Sequence, residues 1–333
     1  MFQTAVTREV FAVHAKRPPR ARMKALLKEG SRVSVQLMPR PELADAQSVI
    51  VRVTMAGLCR TDLYAAEGKI KVCDPLVLGH EFSGVIEEVG SEVDGFKIGQ
   101  RVTVNPILPC RKCKYCVNNN TAGCQNSTFL GVDRCGCFAE FVCVPAAQVL
   151  PLPEGMSDLA AAYTEPVAAS LAVLKANLDP AEKGLIYGNN RFSHLLKQIL
   201  HVNNLSNITI FDPVADAGLL DEGGFDYVIE TFMGTDTLSE LVRAVRPGGK
   251  IILKSRQYEP VALKMTELLK KEPILHVCNY GSFEDAIDLL ATGKIDVDEL
   301  VDGIYELEDF PRVLNAAKHR ESLKPFFAPG GNR

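Results

Sequence analysis

A chain of 333 residues, 47% apolar and 23% charged, has material for one large or two ordinary globular cores. A net charge of -4 argues against a nucleic-acid surface, and no apolar run reaches the roughly 18 residues of a membrane span. Ten cysteines, four in one short cluster and no secretory apolar segment beside them, favour metal binding in a reducing, cytoplasmic setting over a disulfide framework.

Residues 1–22 are basic, with Arg8, Lys16, Arg17, Arg20 and Arg22 against Glu9. They suit a solvated extension ahead of Met23, or a transit peptide. Met23-Lys24-Ala25-Leu26 opens the first strand-like run. From there to about residue 150, short alternating runs bounded by turn residues predict strands at 48–53, 83–89, 101–104 and 138–144. A polar lobe from Cys110 to Cys124 interrupts them. Residues 159–176 then carry apolar side chains at helical spacing. Strands at 184–187, 207–211, 225–230 and 250–253 follow, with helices at 193–202 and 237–245 between them. That alternation predicts a parallel α/β sheet. From Asp296 the chain returns to mixed short elements.

Several residue types with metal chemistry punctuate this series. Cys59 sits in Gly57-Leu58-Cys59-Arg60-Thr61-Asp62. His80 and Glu81 follow some twenty residues later, and Glu165 precedes Pro166. Catalytic zinc takes three protein ligands of the Cys, His and carboxylate kind and keeps one position open. Residue type alone leaves this set undecided, because a single Cys or His is more often an ordinary buried side chain. Cys110-x2-Cys113-x2-Cys116-x7-Cys124 is more specific: four thiolates within fifteen residues can close a tetrahedron with no open position. The remaining cysteines, Cys73, Cys135, Cys137, Cys143 and Cys278, read as reduced packing residues.

The run Gly79-His80-Glu81-x2-Gly84-x5-Gly90-x2-Val93 resembles the zinc signature of the medium-chain zinc-dependent alcohol dehydrogenases at every fixed position. The resemblance extends over roughly residues 23–330. It implies an α/β fold: a GroES-like β-rich catalytic domain over 23–165 with a returning tail at 305–333, and a Rossmann doubly wound parallel sheet over 166–304. It implies Cys59, His80 and Glu165 as ligands of a catalytic zinc, with Glu81 behind them or exchanging as a fourth ligand. Asp62 would orient His80. Thr61 falls at the family's proton-relay hydroxyl, and Tyr64 either extends that relay or simply packs. The four clustered cysteines would hold a second, structural zinc. Glu165-Pro166 is similar to the polyol, sugar and threonine dehydrogenase branch. Within it the chain is also similar to the 2-deoxy-scyllo-inosamine dehydrogenases of aminoglycoside antibiotic biosynthesis. Expected partners are a small-molecule polyol or cyclitol, NAD or NADP, and further copies of the chain in a homodimer or homotetramer.

The cofactor half departs from that pattern. A dinucleotide site wants Gly-x-Gly-x-x-Gly between the first strand and helix. Here Gly188 keeps the first position, Asn190 takes the second and Ser193 the third. The turn is retained, and Asn tolerates a positive φ, but the close phosphate approach is compromised. Asp212, ending the next strand, resembles the ribose-binding acid that favours NAD, and reads equally as a turn residue. Between Asp212 and the strand at Phe225 there is no room for the usual helix, strand and helix, which predicts a sheet lacking one edge strand. Arg60 resembles a family pyrophosphate contact, and Arg191 is a second candidate for that compensation. The alternative function is a zinc-folded relative that binds a ligand without hydride transfer.

Overall fold

The computed structural model describes residues 21–318 and 322–330; the expected basic extension lies outside them except for its last two residues. In chain order the first half comprises β1 (Arg22–Glu29), β2 (Arg32–Pro39), β3 (Ser48–Gly57), α1 (Arg60–Ala66), β4 (Leu76–Val77), β5 (Glu81–Val89), β6 (Arg101–Val104), β7 (Ile107–Leu108), β8 (Thr128–Phe129), β9 (Phe141–Pro145) and β10 (Val149–Pro151). The second half comprises α2 (Asp158–Ala162), α3 (Thr164–Leu171), β11 (Gly184–Tyr187), α4 (Arg191–Val202), β12 (Ile208–Phe211), β13 (Phe225–Glu230), α5 (Thr237–Ala244), β14 (Val245–Leu253), α6 (Met265–Lys271), β15 (Ile274–Val277), α7 (Phe283–Ala291), β16 (Val301–Tyr305), α8 (Phe310–Ala317) and β17 (Lys324–Phe327).

The β-branched run of β3 lies at the centre of the first half. It pairs antiparallel with β5, β9 and β17 in a sheet ordered β10-β6-β5-β3-β17-β16. Val49, Val51 and Val53 on one face of it are fully buried, with Leu26, Phe82, Phe138 and Phe327 in the same core. The C-terminal β16 and β17 therefore return to the N-terminal sheet. Gly84 matters to this packing: a Cβ there would stand 2.4 Å from the Arg52 carbonyl oxygen on β3, so the signature glycine permits β3 and β5 to close.

The second sheet is parallel throughout, ordered β12-β11-β13-β14-β15. Against the doubly wound order 3-2-1-4-5-6, the third strand is missing and β12 becomes the edge, as the short Asp212–Phe225 connection predicts. The fold is thus the expected GroES-like β-rich part plus a shortened Rossmann sheet.

Local expectations fail where proline and loop chemistry intervene. The helix expected over 159–176 is broken into α2, α3 and a 3-10 turn. Pro166 lacks an N–H, and its ring clashes with the carbonyl four residues back, that of Ala162, where α2 ends. The strand expected from 138 begins at Phe141. The preceding residues bond sideways instead, with Leu26 N–H donating to Phe138 O at 2.8 Å and Phe138 N–H donating to Leu78 O at 2.9 Å. Cys73 and Cys135 are exposed, which corrects their reading as packing residues, whereas Cys137 is buried.

Candidate active site

Cys59 is separated from the end of β3 by one residue and is the N-cap of α1. Asp62, in the first turn of that helix, accepts the Cys59 N–H at 2.9 Å through Oδ2. Its Oδ1 accepts the Gly79 N–H at 3.1 Å and lies 3.5 Å from His80 Nδ1. One buried carboxylate thereby ties the Cys59 turn to the His80 turn. The ligand atoms of Cys59, His80 and Glu81 all lie within 4.8 Å of one another. Burial by itself would push the Cys59 thiol up, but the adjoining His80, and then Lys324, pull it down to about 6.

His80 is fully buried, and its Nε2 has no hydrogen-bond partner among the described residues. A buried orphan nitrogen facing a low-pKa thiol is the donor set that zinc satisfies. Glu81 is also fully buried and is paired with the ammonium of Lys324, which donates to Leu58 O at 3.2 Å. Gly57 makes room for that pair: a Cβ there would meet Lys324 Cε at 2.6 Å.

A cavity of about 60 Å³ opens above this cluster between the two sheets. Cys59, Arg60 and Thr61 line it from the first half, and Glu165, Phe192, Thr231, Lys254 and Arg256 from the second. Glu165, in the first turn of α3, is buried and does not join the tight Cys59–His80–Glu81 cluster. It faces the same cavity, where it accepts a hydrogen bond from the Tyr280 hydroxyl and lies 4.0 Å from Arg256 Nη2. Arg256 Nη2 donates to the Tyr280 hydroxyl at 2.6 Å. Lys254 Nζ donates to Asn279 O at 2.9 Å, and burial, then Arg256, lowers its ammonium to about 8. Thr61 Oγ1 lies 3.7 Å from Cys59 Sγ. Tyr64 does not line this cavity; its ring packs edge-on to Tyr258 at 4.5 Å.

Lys324, Tyr280, Lys254 and Arg256 were not visible as site residues in the sequence. Each depends on a C-terminal strand or loop reaching the N-terminal half. The only local signal is a lysine set in the apolar run Lys324-Pro325-Phe326-Phe327.

The second cluster gathers Cys110, Cys113, Cys116 and Cys124, with ligand atoms again within 4.8 Å of one another. Cys113 Sγ lies 3.5 Å from Cys116 Sγ and 3.9 Å from Cys124 Sγ. A disulfide needs about 2.05 Å. The edge of a zinc–thiolate tetrahedron with bonds of about 2.3 Å is about 3.8 Å, which these spacings fit. Backbone N–H groups of Cys116 and Tyr115 lower the Cys113 thiol to about 6, the thiolate state a metal requires.

In the parallel sheet, Gly188 makes the turn from β11 into α4 with φ +119°, and a Cβ there would stand 2.3 Å from Thr231 Oγ1. Asn190 does not use a positive φ. It is extended, at φ -144°, and its side chain caps α4. Ser193 is buried and donates from Oγ to Gly188 O at 2.7 Å. Asp212 accepts from Val214 and Ala215 N–H at 2.9 and 3.1 Å, and from Asn189 Nδ2 at 3.2 Å. The turn role of Asp212 is therefore present, and its carboxylate stands beside the Gly188 turn. Arg191 reaches back to Leu323 O at 3.4 Å. The strand–turn–helix frame of a dinucleotide site is kept, while its phosphate cradle holds a side chain.

A β-rich half with two metal-competent clusters, sharing a cavity with a Rossmann sheet, is an architecture suited to zinc-site oxidoreductases. The alcohol dehydrogenase GroES-like domain matches residues 45–154. A probable D-xylulose reductase A of Aspergillus clavatus is 28% identical over 328 residues, covering 87% of this chain and 92% of that protein. A sorbitol dehydrogenase of Halalkalibacterium halodurans is 29% identical over 349 residues, covering 92% and 99%. Among solved structures, one described as a zinc-binding dehydrogenase of Sinorhizobium meliloti 1021, bound to NADP, superposes with TM-score 0.84 at 26% identity, covering 93% of this chain and all of that one. The fold of Escherichia coli galactitol-1-phosphate dehydrogenase matches at TM-score 0.82 and 24% identity, covering 92% and 100%. In its domain match, its relatives and its fold the chain is similar to the medium-chain zinc-dependent alcohol dehydrogenases, with polyol and sugar dehydrogenases among the relatives.

Proposed function

We propose that the protein is a zinc-dependent dehydrogenase that oxidises a secondary alcohol of a polyol, sugar or cyclitol with NAD or NADP. The observation that carries this is the shared cavity: Cys59 and Thr61 line it together with Glu165, Lys254 and Arg256, and Cys59 is clustered with buried His80. Relatives named for xylulose and sorbitol support the polyol reading. The aminocyclitol 2-deoxy-scyllo-inosamine is the finer substrate proposed within it.

Cys59, His80 and Glu165, with Glu81 in reserve, are the residues that would hold a catalytic zinc, and Cys110, Cys113, Cys116 and Cys124 a structural one. When bound, zinc supplies Lewis acidity to a substrate hydroxyl, and the nicotinamide ring accepts the hydride. The chain's own residues do the rest. Asp62 holds the His80 ring from its Nδ1 side, which leaves Nε2 for a metal. Thr61 Oγ1 takes the substrate proton and passes it outward. The Arg256 fork and the Lys254 ammonium donate hydrogen bonds to the remaining hydroxyls of a polyol. Arg60, Gly188, Ser193 and Asp212 frame the cofactor, and Tyr64 stiffens the wall behind Thr61. We assign the catalytic part to residues 23–165 with the tail from 305, and the cofactor part to 166–304.

Ten free thiols fit a reducing compartment such as the cytoplasm, and no helix among the described residues is long and apolar enough to cross a membrane. The exposed Ile274, Leu275 and Val277 on edge strand β15 support a homodimer through that edge. Metal analysis is expected to give two zincs per chain, and NADH titration to saturate. Fewer than two zincs, or no NADH binding at millimolar concentration, would overturn the reading in favour of a non-catalytic zinc-folded relative.

A further inference from the structure

We propose that Asn190 is a built-in occupant of the cofactor's phosphate cradle, so that a nicotinamide dinucleotide binds only by displacing its side chain. This rests on the dehydrogenase reading above and sharpens it. The first N–H groups of a helix point outward without intrahelical partners, and with the helix dipole they form a ready anion site. In a glycine-rich turn, nothing on the chain itself fills that site. Here the Asn190 carboxamide oxygen accepts from Phe192 N–H at 2.9 Å and from Ser193 N–H at 3.3 Å. Those are the donors that a pyrophosphate would use.

The side chain is also fastened from the other end. Asn190 Nδ2 donates to Thr231 O and to Thr231 Oγ1, each at 3.2 Å. Ser193 Oγ lies 2.9 Å from Thr231 Oγ1 and accepts the Asn190 N–H at 3.3 Å. Asn190, Ser193 and Thr231 are all buried. The two positions that lost glycine are thus joined through one threonine on the neighbouring β13 end. The arrangement is a latch across the cradle rather than a neutral replacement of two glycines.

A neutral carboxamide can be displaced. A pyrophosphate brings full negative charge to the same N–H groups, and charge-assisted hydrogen bonds are roughly twice as strong as neutral ones. Thr231 Oγ1 keeps a partner when Asn190 swings away, because it also donates to Tyr187 O at 3.1 Å. Binding therefore remains possible but is weakened by the interactions that must first be broken.

The test is titration of the full-length, zinc-loaded protein with NADH, ADP and adenosine, in the wild type and in Asn190→Gly, Asn190→Asp and Thr231→Val. Glycine is itself a competent helix N-cap, so Asn190→Gly should fold. It should bind NADH and ADP about tenfold tighter than wild type, with no change for adenosine, which lacks the phosphates. Asn190→Asp keeps the cap but sets a carboxylate where the phosphate must sit, and should bind both at least tenfold more weakly. Thr231→Val loosens the latch from its far side and should tighten NADH binding a few-fold. Saturable NADH binding that is equal in wild type and in both Asn190 variants would overturn the latch while leaving the dehydrogenase reading in place. A gain for adenosine equal to that for ADP would also overturn it. Absence of NADH binding in every variant would overturn both.

Discussion

Asp62 is the residue on which the proposed zinc geometry turns. It receives the N–H groups of Cys59 and Gly79 and stands beside His80, so it orders two ligand segments at once. Outer partners of this kind typically change metal affinity by about 10–100-fold when removed. Asp62→Ala should therefore release one zinc per chain in a chelator competition at 10- to 100-fold lower chelator activity and leave the other zinc bound. Equal retention of both would contradict the assignment. Lys324 and Glu81 form the other decisive pair, both essentially inaccessible to solvent. Removing one partner leaves an uncompensated buried charge, at a cost of about 3–5 kcal/mol. Lys324→Met should lower stability by that order in urea denaturation, and adding Glu81→Gln should recover much of it. A double variant no better than the single one would show that the pair is not coupled. The four clustered cysteines are legible from their own spacing and His80 from the glycine frame that resembles a zinc signature, whereas Cys59 and Glu165 enter only through that resemblance. Lys324 is not legible, because a lysine in an apolar run does not say which buried carboxylate it meets when β17 pairs with β3.

Among the elements, the parallel sheet was legible down to its missing edge strand. Buried-type strands alternate with helices, and the chain between Asp212 and Phe225 is too short for the missing units. The α2–α3 break is masked in the sequence, since helical spacing persists on both sides of Pro166 and only the proline's missing N–H and ring interrupt it. The cap at Asn190 is hidden in the sequence for a related reason. Asn can serve a turn by positive φ or a helix by capping it, and the residue type does not choose between the two. The start of β13 provides a pH-sensitive element. Arg246 donates to Asp226 Oδ1 at 2.6 Å and Lys183 N–H to Oδ2 at 2.7 Å, which together hold the carboxyl below its usual 3.8. A carboxyl whose folded pKa is depressed adds stability that is complete above its unfolded value and is lost as pH falls through the folded one. The stability gap between wild type and Asp226→Asn should be about 1 kcal/mol and steady from pH 7 to 5, then shrink below pH 4. A gap undiminished at pH 3 would show that the carboxylate's charge is not what stabilises this corner.

For the whole molecule, the two halves share the cavity beside Cys59, and β15 offers an apolar edge. Val277 is 82% exposed on β15, beside Ile274 and Leu275. A charge there should prevent edge-to-edge pairing. Val277→Asp is expected to shift the protein from dimer to monomer in light scattering, and a wild type that is already monomeric would remove the proposed interface. The division between a metal-competent half and a cofactor half whose cradle is latched makes hydride transfer the decisive event. The most direct measurement is NADH formation at 340 nm by the zinc-loaded protein with saturating NAD over xylitol, sorbitol and 2-deoxy-scyllo-inosamine, in wild type and in Cys59→Ala. Turnover of at least one of these alcohols by the wild type, reduced by three orders of magnitude or more in Cys59→Ala, is the predicted result. Equal rates in both proteins, or no turnover from a wild type that carries two zincs and binds NADH, would contradict it.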